Sequence, residues 1–374
     1  MKSLIIYNNL KEGIKIVERL AQKSLTLPIL QNIFIKTEKN FLCFSATNLE
    51  MGIKYWSLSK NEKEGKLVIP AKILSQFIDF LPEKPVNLEG KTNDLLISSQ
   101  NYKTTIKGFD PEEFPIIPEI KENESVSVPS DVFCQALGQV VDLASSSLTR
   151  PEISGVYLVF EKDSLKIVAT DSFRLGEQKL FIKNSLSQTY SFILPQQTVK
   201  EIINIFSQKE GEIKIYFSPN QVLFESQISG MAHPQIQLIS RLIEGNYPNY
   251  ETIIPNKTTT QIQLQKLDFV NQIKLASLFG GKTNEISFKI SPKKGKIETF
   301  SQNSDLGEYQ SSIDAKIKGK EATVSFNYKF LIDGLSKIKS QEVTFELTEE
   351  EGPSLLKSTK EKDFVYIAMP IKKN

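Results

Sequence analysis

Apolar residues recur along this chain in one composite pattern, repeated six times. Each copy is a short alternating stretch ending at a turn or a proline, with apolar residues four and eight positions further on. The copies are LIIYNNLKEGI (Ile6, Leu10, Ile14), VIPAKILSQFI (Pro70, Leu74, Ile78), SVPSDVFCQAL (Pro129, Phe133, Leu137), ILPQQTVKEII (Pro195, Val199, Ile203), QLQKLDFVNQI (Gln265, Phe269, Ile273) and SFNYKFLIDGL (Asn327, Leu331, Leu335). The alternation predicts a strand. The four-residue spacing places the later side chains on one helical stripe. Proline at three anchors suits a helix start, since its missing N–H would be unpaired there anyway. The anchors lie 64, 59, 66, 70 and 62 residues apart, so a unit of two helices recurs about every third of the chain.

A second marker keeps the same period. FSATNLEMG carries Ala46-Thr47-Asn48, IVATDSFRLG carries Ala169-Thr170-Asp171, and FSQNSDLG carries the weaker Ser301-Gln302-Asn303. Strand–turn–strand patterns precede the first two, NIFIKTEKNFLCFSATN and GVYLVFEKDSLKIVATD. Proline-rich, polar stretches at 109–125 and 244–260 read as linkers or domain-edge strands. The expectation is an α+β protein of three similar domains, each with two helices and antiparallel sheets: 1–120, 126–248 and 256–374.

Composition narrows the chemistry. The 374 residues exceed one ordinary core. Lysine plus arginine number 46 against 44 acids, a net charge of +2 that excludes a strongly charge-driven nucleic-acid binder. A lone histidine, His233, leaves little for a Ser-His-Asp or multi-His metal site. Cys43 and Cys134 form no C-x-x-C, so a reducing cytoplasm is expected, and no run approaches the roughly 18 apolar residues of a membrane span. Only four basic residues are arginine: Arg19, Arg150, Arg174 and Arg241. In so lysine-rich a chain, a retained arginine points to a need for its planar fork.

Three similar domains in a row suit an arc, and an arc that associates head to tail closes a ring. With helices inward, such a ring passes a polynucleotide without gripping it. Lys11, Lys15, Arg19 and Lys23 form the clearest basic stripe on a predicted helix. On charge alone the stripe also reads as a solvated helix face.

At these residues the chain resembles the bacterial sliding clamps, the β subunits of DNA polymerase III. LTLPILQNIFI with SATNLEMGI resembles the family's first-domain signature, VATDSFRL its second, LIEGNYPNYETIIP its second connection, and YIAMPIKKN its C-terminal segment. The resemblance covers the whole chain. It implies a DNA clamp fold forming a head-to-tail homodimeric ring with helices lining the hole, no catalysis and no cofactor. The implied partners are encircled duplex DNA, the polymerase III catalytic subunit, the clamp loader and other clamp-motif proteins, with a cytoplasmic, nucleoid-associated setting and no membrane. It also implies a groove for short linear motifs. Carried over by motif, the groove takes Arg150, Ile153, Thr170, Ser172, Phe173, Arg174 and Leu175, then Pro248, Thr252 and Ile253. Asn327 and Phe330 lie at its side, and Ile367, Ala368, Met369, Pro370 and Ile371 close it. Phe173 stands where the family often has histidine, and Ala368 where it often has valine, which bears on the peptide taken. DNA-facing candidates are Lys11, Lys15, Arg19 and Lys23, then Lys200 and Lys282. Thr104 and Ile106 would lie on one dimer edge, Lys274 and Leu275 on the other.

Other readings stand beside these. ASLFGGKT (276–283) fits a relaxed phosphate-loop pattern, but it follows a predicted helix and enters a strand, the reverse of a true phosphate loop. A nucleotide-dependent enzyme using that loop is one alternative function. A scaffold that binds protein motifs without encircling DNA is another. Asp171 reads as a strand-end turn rather than a catalytic acid, since no second carboxylate or histidine can be placed with it.

Overall fold

The computed structural model describes residues 1–21, 27–120, 124–147, 149–183, 186–349, 351–361 and 363–372. Among these are six α-helices: α1 (Tyr7–Glu18), α2 (Ala71–Asp79), α3 (Ser130–Val140), α4 (Gln196–Phe206), α5 (Lys266–Ser277) and α6 (Tyr328–Lys337). Each begins one residue after its sequence anchor. The three prolines stand immediately before their helices. Pro70, Pro129 and Pro195 each end the preceding strand and still pair across it, with Asn32, Glu212 and Gly155. There the helix takes over from a ladder that proline cannot extend. The last helix starts differently: the Asn327 side chain accepts from the Lys329 N–H at 3.1 Å, a cap worth about 1 kcal/mol.

The apolar stripes face inward. Leu10, Ile14, Leu74, Ile78, Phe133, Leu137, Val199, Phe269, Ile273, Leu331 and Leu335 are buried. Burial of each such side chain contributes about 1.5–3 kcal/mol. Ile203 is the exception and is only half-buried, because α4 turns Ile202, Ile205 and Phe206 into the core instead.

All strand pairing within the sheets is antiparallel, and the chain forms two compact units. One is mainly Met1–Gln135 with Gln197–Leu242. Its 12-stranded sheet runs from Tyr102–Ile106 at one end to Ser125–Pro129 at the other. The other unit is mainly Ala136–Lys183, Gln188–Gln196 and Ile243–Asn374. It holds a nine-stranded sheet, from Tyr190–Pro195 to Lys316–Gly319, and a four-stranded sheet, from Gly307–Asp314 to Ala322–Asn327. The division between units thus passes through the middle third of the chain. Strand pairing is the cause. Met51–Lys63 pairs with Pro234–Arg241, and Arg174–Phe181 pairs with Phe364–Ala368, so each half of the middle third is sewn to a different neighbour.

The periodic marker is a turn with the same wiring in its first two copies and part of it in the third. Thr47 Oγ1 donates to the Met51 carbonyl at 2.7 Å, and Asn48 Oδ1 accepts from the N–H of Glu50 and Met51. Thr170 Oγ1 donates to the Arg174 carbonyl at 2.7 Å, and Asp171 Oδ1 accepts from Phe173 and Arg174. Leu49 and Ser172 take matching left-handed conformations, φ 75° and 79°. In the third copy Asn303 Oδ1 still accepts from Asp305 and Leu306, while Gln302 replaces the threonine. Asp171 therefore serves as an Asx-type turn acceptor.

Candidate functional site

The second marker turn organises a site in the second unit. Strand Arg174–Phe181 lies beside Phe364–Ala368, with Arg174 opposite Ala368 and Leu175 opposite Ile367. The chain then leaves the sheet but stays attached to it. Met369 N–H donates to the Phe173 carbonyl at 2.8 Å, and Ile371 N–H to the Ser325 carbonyl at 2.8 Å, two residues before Asn327. The turn, the C-terminal segment and the start of α6 are thereby joined by backbone bonds.

Arg174 is the polar centre. Its Nε donates to Asp171 Oδ2 at 2.9 Å, its Nη1 bonds Asp333 on α6, and its guanidinium lies 5.0 Å from the centre of the Phe330 ring. Burial disfavours the charge, but the bonds to Asp171 and Asp333 outweigh that and hold the group protonated. The Phe173 ring stacks on Phe330 at 6.3 Å and is 61% exposed. Arg150 Nη1 donates to Ser172 Oγ at 2.9 Å and its Nε to Glu152 at 3.1 Å, so it reaches the same turn.

The expected groove residues divide by depth. Ile153, Thr170, Leu175, Ile367, Ala368 and Pro370 are buried. They support the site rather than present surface. Leu175 and Ile367 join Val168, Tyr250 and Leu355 in one buried cluster, against which Tyr157, Tyr247, Ile254 and Val365 pack. Tyr250 opens the short turn Tyr250–Ile253, which brings Thr252 and Ile253 to the surface beside half-buried Pro248. Met369, Ile371, Phe330 and Asn327 are half-buried. What remains accessible combines apolar side chains, Phe173 and Ile253 foremost, with the polar Ser172, Thr252 and Arg150.

Sequence reading missed Asp333 and the stacked Tyr157–Tyr247 pair, whose rings lie 4.6 Å apart. The spacing FLID did carry a hint, because Asp333 follows Phe330 by three and so shares its helix face.

The remaining expected residues lie elsewhere. Lys11 and Lys15 are on α1 and Arg19 is its C-terminal cap; Lys23 lies outside the described residues. Lys200 is half-buried on α4, and Lys282 is exposed in the loop between α5 and strand Glu285–Ser291. That loop leaves a helix and enters a strand. On the edge strand Tyr102–Ile106, Thr104 is half-buried and Ile106 points into its own core at 5% exposure. Lys274 and Leu275 are exposed near the end of α5. His233 packs flat on Phe41, ring centres 3.9 Å apart, and edge-on to Trp56. Among the described residues no group of acidic, cysteine or histidine side chains could hold a metal, and no helix is long and apolar enough to cross a membrane. A cleft of about 720 Å³ in the first unit, bordered by Phe34, Lys54, Trp56 and Phe114, contains none of the expected site residues.

Repeated two-helix units on antiparallel sheets, joined by recurring strand seams, define a clamp-fold protein. Family models of the DNA polymerase III beta subunit match in order: the N-terminal domain over residues 1–118, the central domain over 127–249 and the C-terminal domain over 251–372. The beta sliding clamp of Bacillus subtilis is 26% identical over 100% of both chains, and that of Staphylococcus epidermidis 28% over 93% of both. The solved structure of the Bacillus subtilis DNA polymerase sliding clamp superposes with a TM-score of 0.93 over 100% of both chains. The Thermotoga maritima DNA polymerase III beta subunit, at 22% identity, shares the fold with a TM-score of 0.91 over 100% of both chains. The chain belongs to the DNA polymerase III beta subunit family, the sliding clamps that serve DNA polymerase as processivity factors.

Proposed function

We propose that two copies of this chain close head to tail into a ring that encircles duplex DNA. The ring holds polymerase III, the clamp loader and other motif-bearing proteins at the Arg174 groove, and it carries out no catalytic step. One observation carries the reading. The strand after the first marker, Met51–Lys63, pairs with Pro234–Arg241, and the strand after the second, Arg174–Phe181, pairs with Phe364–Ala368. The strand after the third marker, Gly307–Asp314, ends its sheet, and Tyr102–Ile106 ends another. A second copy supplies the missing third seam: the edge at 307–314 of one protomer meets the edge at 102–106 of its partner. Such edges are normally covered in a folded protein. Leu275 and Leu278, exposed at 51% and 64%, give apolar surface at the end of α5, whose Gln272 bonds Ser311 of the edge strand at 3.0 Å. Two such head-to-tail junctions close the assembly, so each protomer accounts for three of its six seams.

The contrasting scaffold and nucleotide-enzyme readings both dispense with the ring. Leu275→Glu tests it. The variant should sediment as a monomer, keep parental affinity for a clamp-motif peptide, and lose the ability to lengthen polymerase products in the presence of a matching clamp loader. A variant that stays dimeric contradicts the assigned interface. A monomer that still lengthens products contradicts the ring.

A further inference from the structure

The basic stripe on α1 is already neutralised within the first unit. Lys15 Nζ donates to Asp79 Oδ2 at 2.6 Å, and Lys11 Nζ, which donates to the Tyr7 hydroxyl at 3.2 Å, lies 3.7 Å from Asp79 Oδ1. Lys15 also lies 4.0 Å from Glu18. One turn on, Arg19 Nε donates to Glu201 at 2.6 Å, and Glu12 is paired with Lys209. Every described cation of the stripe thus has a carboxylate within ion-pair distance. The acids come from α2 and α4 as well as from α1 itself.

Asp79 is placed oddly for helix stability. It is the last residue of α2, where the helix dipole disfavours a carboxylate. Lys15 first, then Lys11, hold its carboxyl below the ordinary range, so it stays charged. The Asp79–Lys15 pair is part-exposed, and an exposed ammonium–carboxylate pair is weak enough to exchange for another anion.

We propose that Asp79 is a built-in phosphate substitute: it occupies Lys11 and Lys15 so that DNA can borrow them only by exchange, which keeps the encircling surface from gripping. The inference rests on the proposed reading that α1 faces DNA. A lysine that trades a carboxylate for a phosphate leaves the carboxylate's charge beside the duplex, so the net neutralisation of DNA is small. Few counterions are then released, whereas a lysine free to neutralise a phosphate steepens the salt slope by about 0.9. Asp79 acts as a positioning residue for DNA, and its removal converts exchange into net attraction.

The test is binding of the full-length dimer to a fluorescent linear duplex across a salt series. Asp79→Asn should tighten binding about threefold or more at low salt and steepen the salt slope by about 1–2. Asp79→Glu should keep parental behaviour, since it keeps the charge. Lys11→Gln with Lys15→Gln should abolish the gain in the Asp79→Asn background. If Asp79→Asn leaves affinity and slope unchanged while the lysine pair still weakens binding, the substitute role is overturned and the DNA face stands. If the lysine pair also changes nothing, the placement of α1 against DNA fails with it. A structural role for Asp79 alone would move melting temperature but not the salt slope.

Discussion

Met369 donates its backbone N–H to the carbonyl of Phe173 at 2.8 Å, joining the C-terminal segment to the turn that follows the second Ala-Thr-Asp marker. The bond holds the residues of two distant sequence segments as one surface. It also makes the groove dependent on residues that no helix needs. Deleting 369–374 should therefore weaken motif-peptide binding at least about tenfold while leaving the dimer intact. Fluorescence anisotropy with a labelled peptide and sedimentation of the same sample measure both. Unchanged peptide affinity would contradict the groove assignment.

Arg174 touches two carboxylates and one ring, so its removal should be felt in stability as well as in binding. Arg174→Ala leaves Asp171 and Asp333 uncompensated. It should cost about 2 kcal/mol, less than a fully buried pair because Asp333 meets solvent. Arg174→Lys keeps the charge but loses the fork and should recover only part of the peptide affinity. Thermal unfolding and peptide titration of both variants check this. Full recovery by lysine would mean that the planar donor is unimportant.

Two helical glycines should respond to alanine with opposite signs. A Cβ on Gly334 of α6 would meet the Tyr366 ring at 2.5 Å, and Tyr366 in turn donates its hydroxyl to the Phe330 carbonyl at 2.7 Å. Gly334→Ala should destabilise by about 1–3 kcal/mol and disturb Phe330 in the groove. Gly138 of α3 has nothing within 4 Å of the added carbon. Gly138→Ala should stabilise by about 0.5–1 kcal/mol through helix propensity alone. Melting temperatures moving in the same direction would refute the packing account.

Both thiols are buried, and burial pushes each up to about 12 from an ordinary value near 9. The folded value lies above the unfolded one, so folding favours the protonated thiols. This contribution is full below pH 9 and declines as pH rises from about 9 towards 12. At pH 8 both thiols are therefore protonated in the native state. A disulfide reagent at pH 8 should thus label neither cysteine in native protein and both after denaturation. Rapid labelling of the native form would contradict the burial of Cys43 or Cys134.

Helix positions were legible in the sequence because a strand end, a four-residue apolar spacing and a fixed period all coincide at each anchor. The marker turns were legible for a similar reason: Thr-Asn and Thr-Asp bond their own neighbouring backbone, a local event. The prolines were legible as helix starts, but spacing alone does not reveal that each also ends a strand. Ile203 shows the same limit, for a stripe drifts around a helix of 3.6 residues per turn. The seams were not legible. Pairing of Met51–Tyr55 with Ile236–Ser240 depends on register between distant strands, and no local signal encodes it. The partners of Arg174 and Lys15 were hidden likewise, because Asp333 and Asp79 lie 159 and 64 residues away in sequence. The proposed groove residues came from family resemblance; the structure adds which of them are exposed and which are buried.

Encirclement of DNA is tested most directly by topology. The dimer is loaded on closed circular duplex with a matching clamp loader, and retention is measured before and after one cut in the circle. The account predicts retention on the intact circle and rapid release once a free end exists. Equal retention on intact and cut DNA would contradict it, since the protein would then be held by affinity rather than by a closed ring.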